Sequence, residues 1–257
     1  MDITHKFLDQ IKIYDVGLPK VRIGSDKDGG YVLLEPLLEG VDVVYSFGVE
    51  DDVSFDLAFT NQYGSIMRMY DHTVDSIPTE VPNGVFYKKG IGNKAEGDLD
   101  TLQSYVDQNK DHDKRMILKM DVEGCEWDSL LCCSDELLNQ FEQILFECHG
   151  HQFPQPNLPT DHYGQQLPYE VLCKLNKHFY MYHAHANNWG WNETIGRYRI
   201  PTLLELSLVR KDLVTDVKLY DGEYPTEFDK VNNPDRPPVD INYWPFCRRY
   251  RPGFYWS

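Results

Sequence analysis

The sequence predicts an α/β protein whose mostly parallel sheet is covered by helices on both faces. Two observations lead to this prediction. Short apolar runs alternate along the chain with segments of helical periodicity, and several runs are predominantly apolar rather than alternately apolar and polar, as in strands that are buried on both faces. The last two runs are joined by a loop rather than by a clear helix, which predicts an antiparallel hairpin at one edge of the sheet.

The predicted elements follow one another along the chain. A helix is expected at residues 2–13 and, after the turn signal Ser25–Gly30, a strand at residues 31–34. The apolar runs that predict the sheet lie at residues 41–48, 65–70, 85–88, 116–120, 143–148, 179–183 and 203–209. Helices are predicted around residues 55–63, 99–106, 127–133 and 169–175.

The length of 257 residues fits one large domain. We expect residues 1–220 to form this domain, with an N-terminal helix and strand within residues 1–40. Residues 221–257 are rich in Pro, Tyr and Trp and are predicted to pack on the same domain as an extension. Residues 150–168 are polar and predict a long loop.

The charge of the chain limits its partners. The formal net charge is −16 and the pI is about 4.9. Such a chain repels nucleic-acid phosphates and anionic membrane surfaces, so we expect neither partner, and a neutral or cationic small molecule or glycan fits better. The six cysteines form no CxxC pair, which predicts reduced thiols, and the sequence has no apolar signal core or membrane span. We therefore expect a cytoplasmic protein, or a soluble domain cut from a longer one, of unknown oligomeric state.

Acidic residues surround a glycine directly after the apolar run at residues 116–120. Asp121, Glu123 and Glu126 lie at this turn, and ligands of parallel sheets bind beyond the carboxyl ends of the strands. Acids at this place favour a cationic ligand. Glu126 and Asp128 can equally be solvated acids at the start of the next helix, where the helix dipole favours negative charge.

A second turn and a later acid indicate a nucleoside. Gly48 permits a tight strand-to-helix turn, Glu50 can receive an ammonium group, and Asp71 can accept both hydroxyls of a ribose. The G-x-G-x-x-G fingerprint of pyrophosphate binding is missing, and acids at a helix start repel phosphate. S-adenosylmethionine has a sulfonium, an ammonium and a ribose but no phosphate, so the charge pattern favours it over NAD.

Histidines and acids also follow the later strands. Glu147 and His149 are two positions apart and face one side of a strand, where His149 can act as a general base on a hydroxyl. With Asp121 they form a predicted site for Mg²⁺ or Mn²⁺, which prefer oxygen ligands and tolerate an imidazole. His183 and His185 could bind a metal, contact substrate or only hydrogen-bond within a turn.

Five segments carry a resemblance to a known family; they are Ser46–Phe55, Lys119–Trp127, Phe146–His149, His185–Asn188 and Pro201–Leu206. Together they resemble the FkbM-type and methyltransferase-like-24-type methyltransferases, over roughly residues 21–211. The Asp-x-Glu-Gly-x-Glu motif at residues 121–126 is the most specific of them. The resemblance implies a class I Rossmann-like methyltransferase fold, S-adenosylmethionine as cofactor and methyl transfer to oxygen, often on sugars.

The resemblance also implies roles for individual residues. The methionine part of the cofactor would lie along Gly48 and Glu50, the ribose at Asp71, and the reacting end at Asp121. Residues 90–92 would lie near the adenine. From the residues and the resemblance together we predict Phe47, Gly48, Glu50, Asp71, His72, Gly90, Ile91 and Asp121 as cofactor-binding residues and His149, Asp121 and His185 as catalytic residues. Ser46 departs from the family pattern, because many FkbM-type members carry an acid there.

The sequence therefore predicts an S-adenosylmethionine-dependent O-methyltransferase that acts on a hydroxyl of a sugar or glycan. Trp189, Trp191 and Tyr163 are candidate aromatic platforms for sugar faces. Two alternatives stay open. One is a metal-dependent hydrolase that uses His149, His151, His183 and His185; the other is a non-catalytic module on the same fold that binds a partner through its aromatic C-terminal tail.

Overall fold

A seven-stranded sheet lies at the centre of the chain, of which a computed structural model describes residues 2–154 and 166–247. Its strands are β1 (Val43–Phe47), β2 (Ile66–Tyr70), β3 (Gly84–Tyr87), β4 (Met116–Met120), β5 (Phe141–His149), β6 (Phe179–Ala186) and β7 (Leu203–Arg210). Their order across the sheet is β6-β7-β5-β4-β1-β2-β3. Strand β7 runs antiparallel to β5 and β6, and the other neighbours are parallel. The predicted mostly parallel sheet with an antiparallel edge hairpin is confirmed.

Helices pack on both faces of this sheet. They are α1 (Ile3–Leu8), α2 (Ser54–Tyr63), α3 (Leu102–Asn109), α4 (Glu126–Cys132), α5 (Asp135–Leu138) and α6 (Leu167–His178). Because alternate residues of a strand point to opposite faces, β1 contributes Tyr45 and Phe47 to one core and Val44 to the other. The first core joins the sheet to α1, α3, α4, α5 and α6, and the second joins it to α2.

Smaller elements surround the central sheet. Within residues 2–154 and 166–247, four two-stranded sheets pair Tyr14–Asp15 with Lys218–Leu219, Lys20–Gly24 with Gly30–Leu34, Gly90–Ile91 with Leu99–Asp100, and Asn192–Ile195 with Tyr198–Pro201. Short 3-10 helices span Glu35–Leu37, Gly150–Gln152 and Lys211–Leu213. The last of the four sheets lies in the connection between β6 and β7, which the sequence predicted as a loop.

Helices α1 and α3 differ most from their predicted bounds, and the short helix α5 was not predicted. Helix α1 ends at Leu8 rather than at residue 13, because Ile11 and Ile13 are buried beyond it and Ile13 forms a bridge to β6. Helix α3 begins after Thr101, whose hydroxyl accepts a hydrogen bond from a backbone N–H of the first turn. Leu99, which shares the helical spacing, instead pairs in a short sheet.

The C-terminal segment, residues 221–247, packs on the domain without regular secondary structure. Tyr224, Ile241 and Phe246 belong to the larger core. Residues 155–165 of the predicted long loop, with Tyr163, lie outside the described residues, as do residues 248–257. Within the part of the chain that is described, every helix is too short or too polar to cross a lipid bilayer.

Candidate active site

A cleft of about 630 Å³ opens beside β1 and β4, at the carboxyl ends of the strands. The chain continues from β1 to one side of the sheet and from β4 to the other, so this is the switch point at which open α/β sheets bind ligands. Of the residues that the structure describes, eight carboxylates and two lysines line the cleft; they are Asp28, Glu50, Asp51, Asp52, Asp71, Asp121, Glu123 and Glu147, with Lys27 and Lys119. This charge favours a cationic ligand and disfavours a phosphate.

Gly48 joins the end of β1 to the end of β4. Its φ of 73° lies in the left-handed region, and a Cβ there would overlap the carbonyl oxygen of Asp121, so the position requires glycine. Lys119 donates to the carbonyls of Phe47 and Gly48, which ties its ammonium group to the backbone of this turn. The ring of Phe47 is fully buried and stacks on Tyr70, so of the predicted cofactor residues Phe47 does not line the cleft.

Asp71, at the end of β2, fixes the turn that follows β1. One carboxylate oxygen accepts from the backbone N–H groups of Val49 (3.1 Å) and Glu50 (2.9 Å), and the other from the N–H (2.7 Å) and hydroxyl (2.6 Å) of Thr73. Burial raises the pKa of Asp71, but these hydrogen bonds outweigh it and leave the pKa below its usual value. Ribose hydroxyls, the predicted partners of Asp71, would have to replace one of these donors.

The other predicted cofactor residues line the same end of the cleft. A Cβ on Gly90 would press against Nδ1 of His72, so the Gly90 backbone packs directly on the imidazole. Ile91 follows Gly90 and lines the cleft with it. Burial and the neighbouring carboxylate of Glu123 raise the pKa of Glu50, so a bound cation would relieve the repulsion at this end.

Asp121 and Glu147 lie next to each other in the middle of the cleft. The hydroxyl of Tyr31 donates to Oδ2 of Asp121 over 3.1 Å. Glu147 on β5 lies directly opposite Glu205 on β7. Burial and the charges of Asp121 and Glu205 raise the pKa of Glu147 well above its usual range, which favours the protonated form of Glu147.

His149 is buried at the end of β5 and pairs with Glu126. Oε1 of Glu126 accepts from Nδ1 of His149 (3.0 Å) and from the backbone N–H of Val122 (3.1 Å), and Glu126 itself is 0% exposed. Nε2 of His149 lies 3.2 Å from Oε2 of Glu123. Burial lowers the pKa of His149, but the hydrogen bond and charge of Glu126, followed by the charge of Glu123, outweigh it and leave the pKa raised. A fixed carboxylate behind an imidazole is the arrangement of an oriented general base.

The possible metal ligands differ from the predicted set in one member. Asp121, Glu123 and His149 offer ligand atoms that all lie within 4.8 Å of one another. The predicted set contained Glu147 in place of Glu123. Glu147 approaches His149 to 3.5 Å and lies beside Asp121, so it borders the same possible site.

His183 and His185 lie on β6 and share a buried carboxylate from the C-terminal segment. Oδ1 of Asp229 lies 3.1 Å from Nε2 of His183 and 2.8 Å from Nδ1 of His185. Nε2 of His185 bonds to Oδ1 of Asn232 over 2.7 Å. Burial lowers the pKa of His185, but the charges of Glu205 and Asp229 outweigh it and raise the pKa to about 9.

This pairing separates the histidines that the sequence grouped. His185, one of the predicted catalytic residues, lines a smaller cavity of about 170 Å³ and not the cleft. His149 pairs with Glu126, whereas His183 and His185 pair with Asp229. Among the residues that the structure describes, His149 shares a possible metal site with Asp121 and Glu123 and not with His183 or His185, and the side chain of His151 lies outside the described residues.

Two amides join acids from distant parts of the chain, and sequence reasoning missed this network. Nδ2 of Asn187 donates to Asp28 (3.1 Å), Glu147 (3.0 Å) and Glu205 (3.4 Å), and Nδ2 of Asn232 donates to Asp28 (3.0 Å) and Glu205 (3.2 Å). The polar run after β6 was a signal for Asn187. Asn232 lies in an irregular segment and carries no sequence signal.

The chain matches no protein-family model, no curated protein and no solved structure. The functional assignment therefore depends on the geometry and charge of the cleft.

Proposed function

We propose that this chain transfers a methyl group from S-adenosylmethionine to a hydroxyl of a sugar or glycan. One observation carries the proposal: the cleft at the switch point of the sheet has eight carboxylates and two lysines, and one lysine, Lys119, is tied to backbone carbonyls. A sulfonium nucleoside matches this charge, whereas a pyrophosphate cofactor would be repelled. The mostly parallel sheet with its antiparallel edge hairpin accords with the class I Rossmann-like methyltransferase fold that the sequence resemblance implies.

The residues at the β1–β2 end of the cleft fit such a donor. Glu50 offers a carboxylate, with a pKa raised by burial and by its acidic neighbours, to an ammonium group beside Gly48. His72, Gly90 and Ile91 give one polar and two apolar surfaces for the nucleoside. When bound, S-adenosylmethionine supplies a methyl group on a positively charged sulfur, and the acids of the cleft lie around the place where that charge would be.

His149 is proposed to remove the proton of the acceptor hydroxyl. The hydroxyl oxygen forms a bond to the methyl carbon, the carbon–sulfur bond breaks with its electron pair left on sulfur, and the proton passes to Nε2 of His149. Glu126 holds the ring by Nδ1 and stabilises the imidazolium that forms. Orientation of the hydroxyl supplies much of the rate in an in-line displacement. The charge of Asp121 near the ring adds to the stabilisation of the imidazolium.

A divalent cation is the competing use of the same residues. Asp121, Glu123 and His149 could hold Mg²⁺ or Mn²⁺ and so lower the pKa of an acceptor hydroxyl. Nδ1 of His149 is engaged by Glu126, so only Nε2 could bind the ion. The same nitrogen cannot bind the ion and accept the proton, which makes the two roles of His149 mutually exclusive.

Calorimetry with S-adenosylmethionine, with S-adenosylhomocysteine, whose thioether sulfur carries no charge, and with NADH tests the donor site. We expect binding of the first, weaker binding of the second at low salt, and none of NADH. Glu50→Gln should weaken S-adenosylmethionine binding about five- to tenfold, since it removes one carboxylate from the ammonium site. Glu80→Gln is the matched control, because Glu80 is exposed and does not line the cleft.

Transfer of a labelled methyl group to a glycan panel, with and without a chelator, tests the reaction itself. Label on the glycan is the expected result. No binding of S-adenosylmethionine by the wild-type chain would end the proposal and leave the non-catalytic module as the better description.

A further inference from the structure

The cleft has a second end beyond the proposed reacting residues. The donor residues follow β1 and β2, whereas Asn187 and Trp189 follow β6 and Leu203 begins β7. In the sheet, β6 and β7 lie on the opposite side of β5 from β1 and β2. A molecule at this end and a donor at the other would therefore meet at His149, at the end of β5.

A partly exposed tryptophan lines this second end. Trp189 keeps 48% of its surface exposed, although large apolar rings are usually buried. The guanidinium of Arg236 lies over its ring, 5.2 Å from the centroid, and Nη1 of Arg236 donates to the Trp189 carbonyl. The backbone N–H of Trp189 also donates to Oδ1 of Asn187 over 3.0 Å. The ring is therefore held in place while much of it remains open to solvent.

The C-terminal segment is bonded to this part of the cleft at several points. Nδ2 of Asn188 donates to the carbonyls of Asn233 (2.7 Å) and Arg236 (3.0 Å), and the N–H of Asn233 donates back to Oδ1 of Asn188 (2.8 Å). Asn188 and Asn233 are both buried. These bonds fix the backbone that carries Arg236 over Trp189 and Asn232 into the cleft.

Hydrogen-bonding groups lie beside the ring. Asn187 and Asn232 line the cleft with Asp28 and Glu147, and their amides connect the acids. A carboxylate has about four acceptor positions, so Asp28 retains capacity for hydroxyl donors. An aromatic face next to such acceptors suits a ring with apolar C–H faces and hydroxyl edges.

We propose that Trp189, held by Arg236, is the surface on which the ring of a neutral, hydroxyl-rich acceptor stacks, so that the C-terminal segment determines acceptor affinity. This inference rests on the proposed function and adds the acceptor subsite to it. It also separates two tryptophans that the sequence treats alike. Trp191 is 63% exposed, more than Trp189, but it does not line the cleft.

The experiment compares Trp189→Ala, Trp189→Phe and Arg236→Ala with Trp191→Ala as the matched control. Cellobiose, N-acetyllactosamine and methyl galactoside serve as neutral probes, and binding is followed by quenching of tryptophan fluorescence and by calorimetry. The KM is then measured for whichever probe is methylated. Trp189→Ala should raise the acceptor Kd and KM about tenfold, and Arg236→Ala should raise them less. Trp189→Phe keeps an aromatic face and should retain most of the wild-type acceptor affinity. S-adenosylmethionine affinity should change less than twofold in every variant.

The outcomes separate the two proposals. If the wild-type chain methylates a probe and the acceptor Kd and KM of Trp189→Ala equal those of Trp191→Ala, Trp189 is not the stacking surface, while the methyltransferase proposal is supported. If S-adenosylmethionine does not bind, but a neutral glycan binds and Trp189→Ala weakens glycan binding, the glycan subsite is supported and the methyl-transfer proposal is wrong. Failure of all three probes to bind, or an equal loss in Trp189→Ala and Trp191→Ala, overturns the inference.

Discussion

Replacement of Asp229 by asparagine should destabilise the fold in a pH-dependent way. Asp229 is 3% exposed and accepts from both His183 and His185 through Oδ1, while Oδ2 accepts from the N–H and hydroxyl of Thr226. Asparagine keeps one acceptor but turns an amide N–H toward the Thr226 donors. Removal of one partner of a buried ion pair costs roughly 3–5 kcal/mol, and we expect about 3 kcal/mol at pH 7.

The pH dependence follows from His185. Its pKa in the folded chain is about 9 against 6.5 as a reference value, so its stabilisation is complete below pH 6.5 and is lost as the pH rises through 9. The shift corresponds to about 2.5 kcal/mol at pH 7 and to about 0.2 kcal/mol at pH 9.5. Because the charge of Glu205 contributes to this shift as well, Asp229→Asn removes only part of it. Asp229 has a pKa below its usual range, so its contribution is lost in acid instead.

Urea unfolding of wild type and Asp229→Asn at pH 7.0 and 9.5 measures the effect. The difference in unfolding free energy should shrink by about 1–2 kcal/mol at the higher pH. Asp15→Asn is the control, since Asp15 is 44% exposed in its pair with Lys218 and should cost less than about 1 kcal/mol at either pH. A difference that stays constant or grows between the two pH values would refute a charged, buried His185.

Three further predictions concern the cleft. Gly48→Ala should lower the free energy of unfolding by more than about 2 kcal/mol, measured by urea or thermal unfolding, because it adds an overlap with the Asp121 carbonyl to the strain of a positive φ. Gly64→Ala is the control: its φ is 70° but no atom lies within 4 Å of the added Cβ, so it should cost only about 1 kcal/mol. Glu126→Gln should lower the methyl-transfer rate at least about tenfold with unchanged S-adenosylmethionine affinity, and an unaltered rate would exclude Glu126 as the partner of the base. If His149 is the base, a chelator should leave the rate unchanged and added Mn²⁺ should inhibit; stimulation by Mn²⁺ would favour the metal role.

The fold could be predicted largely from local pattern. Runs such as residues 116–120 are apolar except for Lys119 and are buried at every position, and only strands covered on both faces bury such a run. The strand, its parallel neighbours and the helices on both faces are therefore predicted together. The bounds of α1 were wrong because Ile11 and Ile13 satisfy a helical spacing and yet are buried in an extended segment. Local periodicity cannot distinguish those two ways of burying the same side chain.

The candidate site was predicted in part. Strand ends in a parallel sheet lie along one edge, so Gly48, Asp71, Asp121 and His149 were expected near one another, and all four line the cleft. His185 follows the same rule at the end of β6 but packs toward Asp229 instead. The contact that turns His185 away from the cleft is made by Asp229, in the C-terminal segment. That segment has no regular secondary structure, so no periodic pattern in the sequence predicts the contact.

The acidic turn at residues 121–126 illustrates the division between sequence and structure. Sequence alone determined that acids follow a buried strand at the ligand-binding edge of a sheet and that their charge favours a cation, since both depend on local order and composition. Tertiary structure alone decided the role of each acid. Glu126 is fully buried behind His149, Glu123 reaches the other ring nitrogen, and Asp121 meets Tyr31. These partners are 23, 26 and 90 positions away along the chain. Only the packing of β5, α4 and the two-stranded sheet of Lys20–Gly24 and Gly30–Leu34 brings them together.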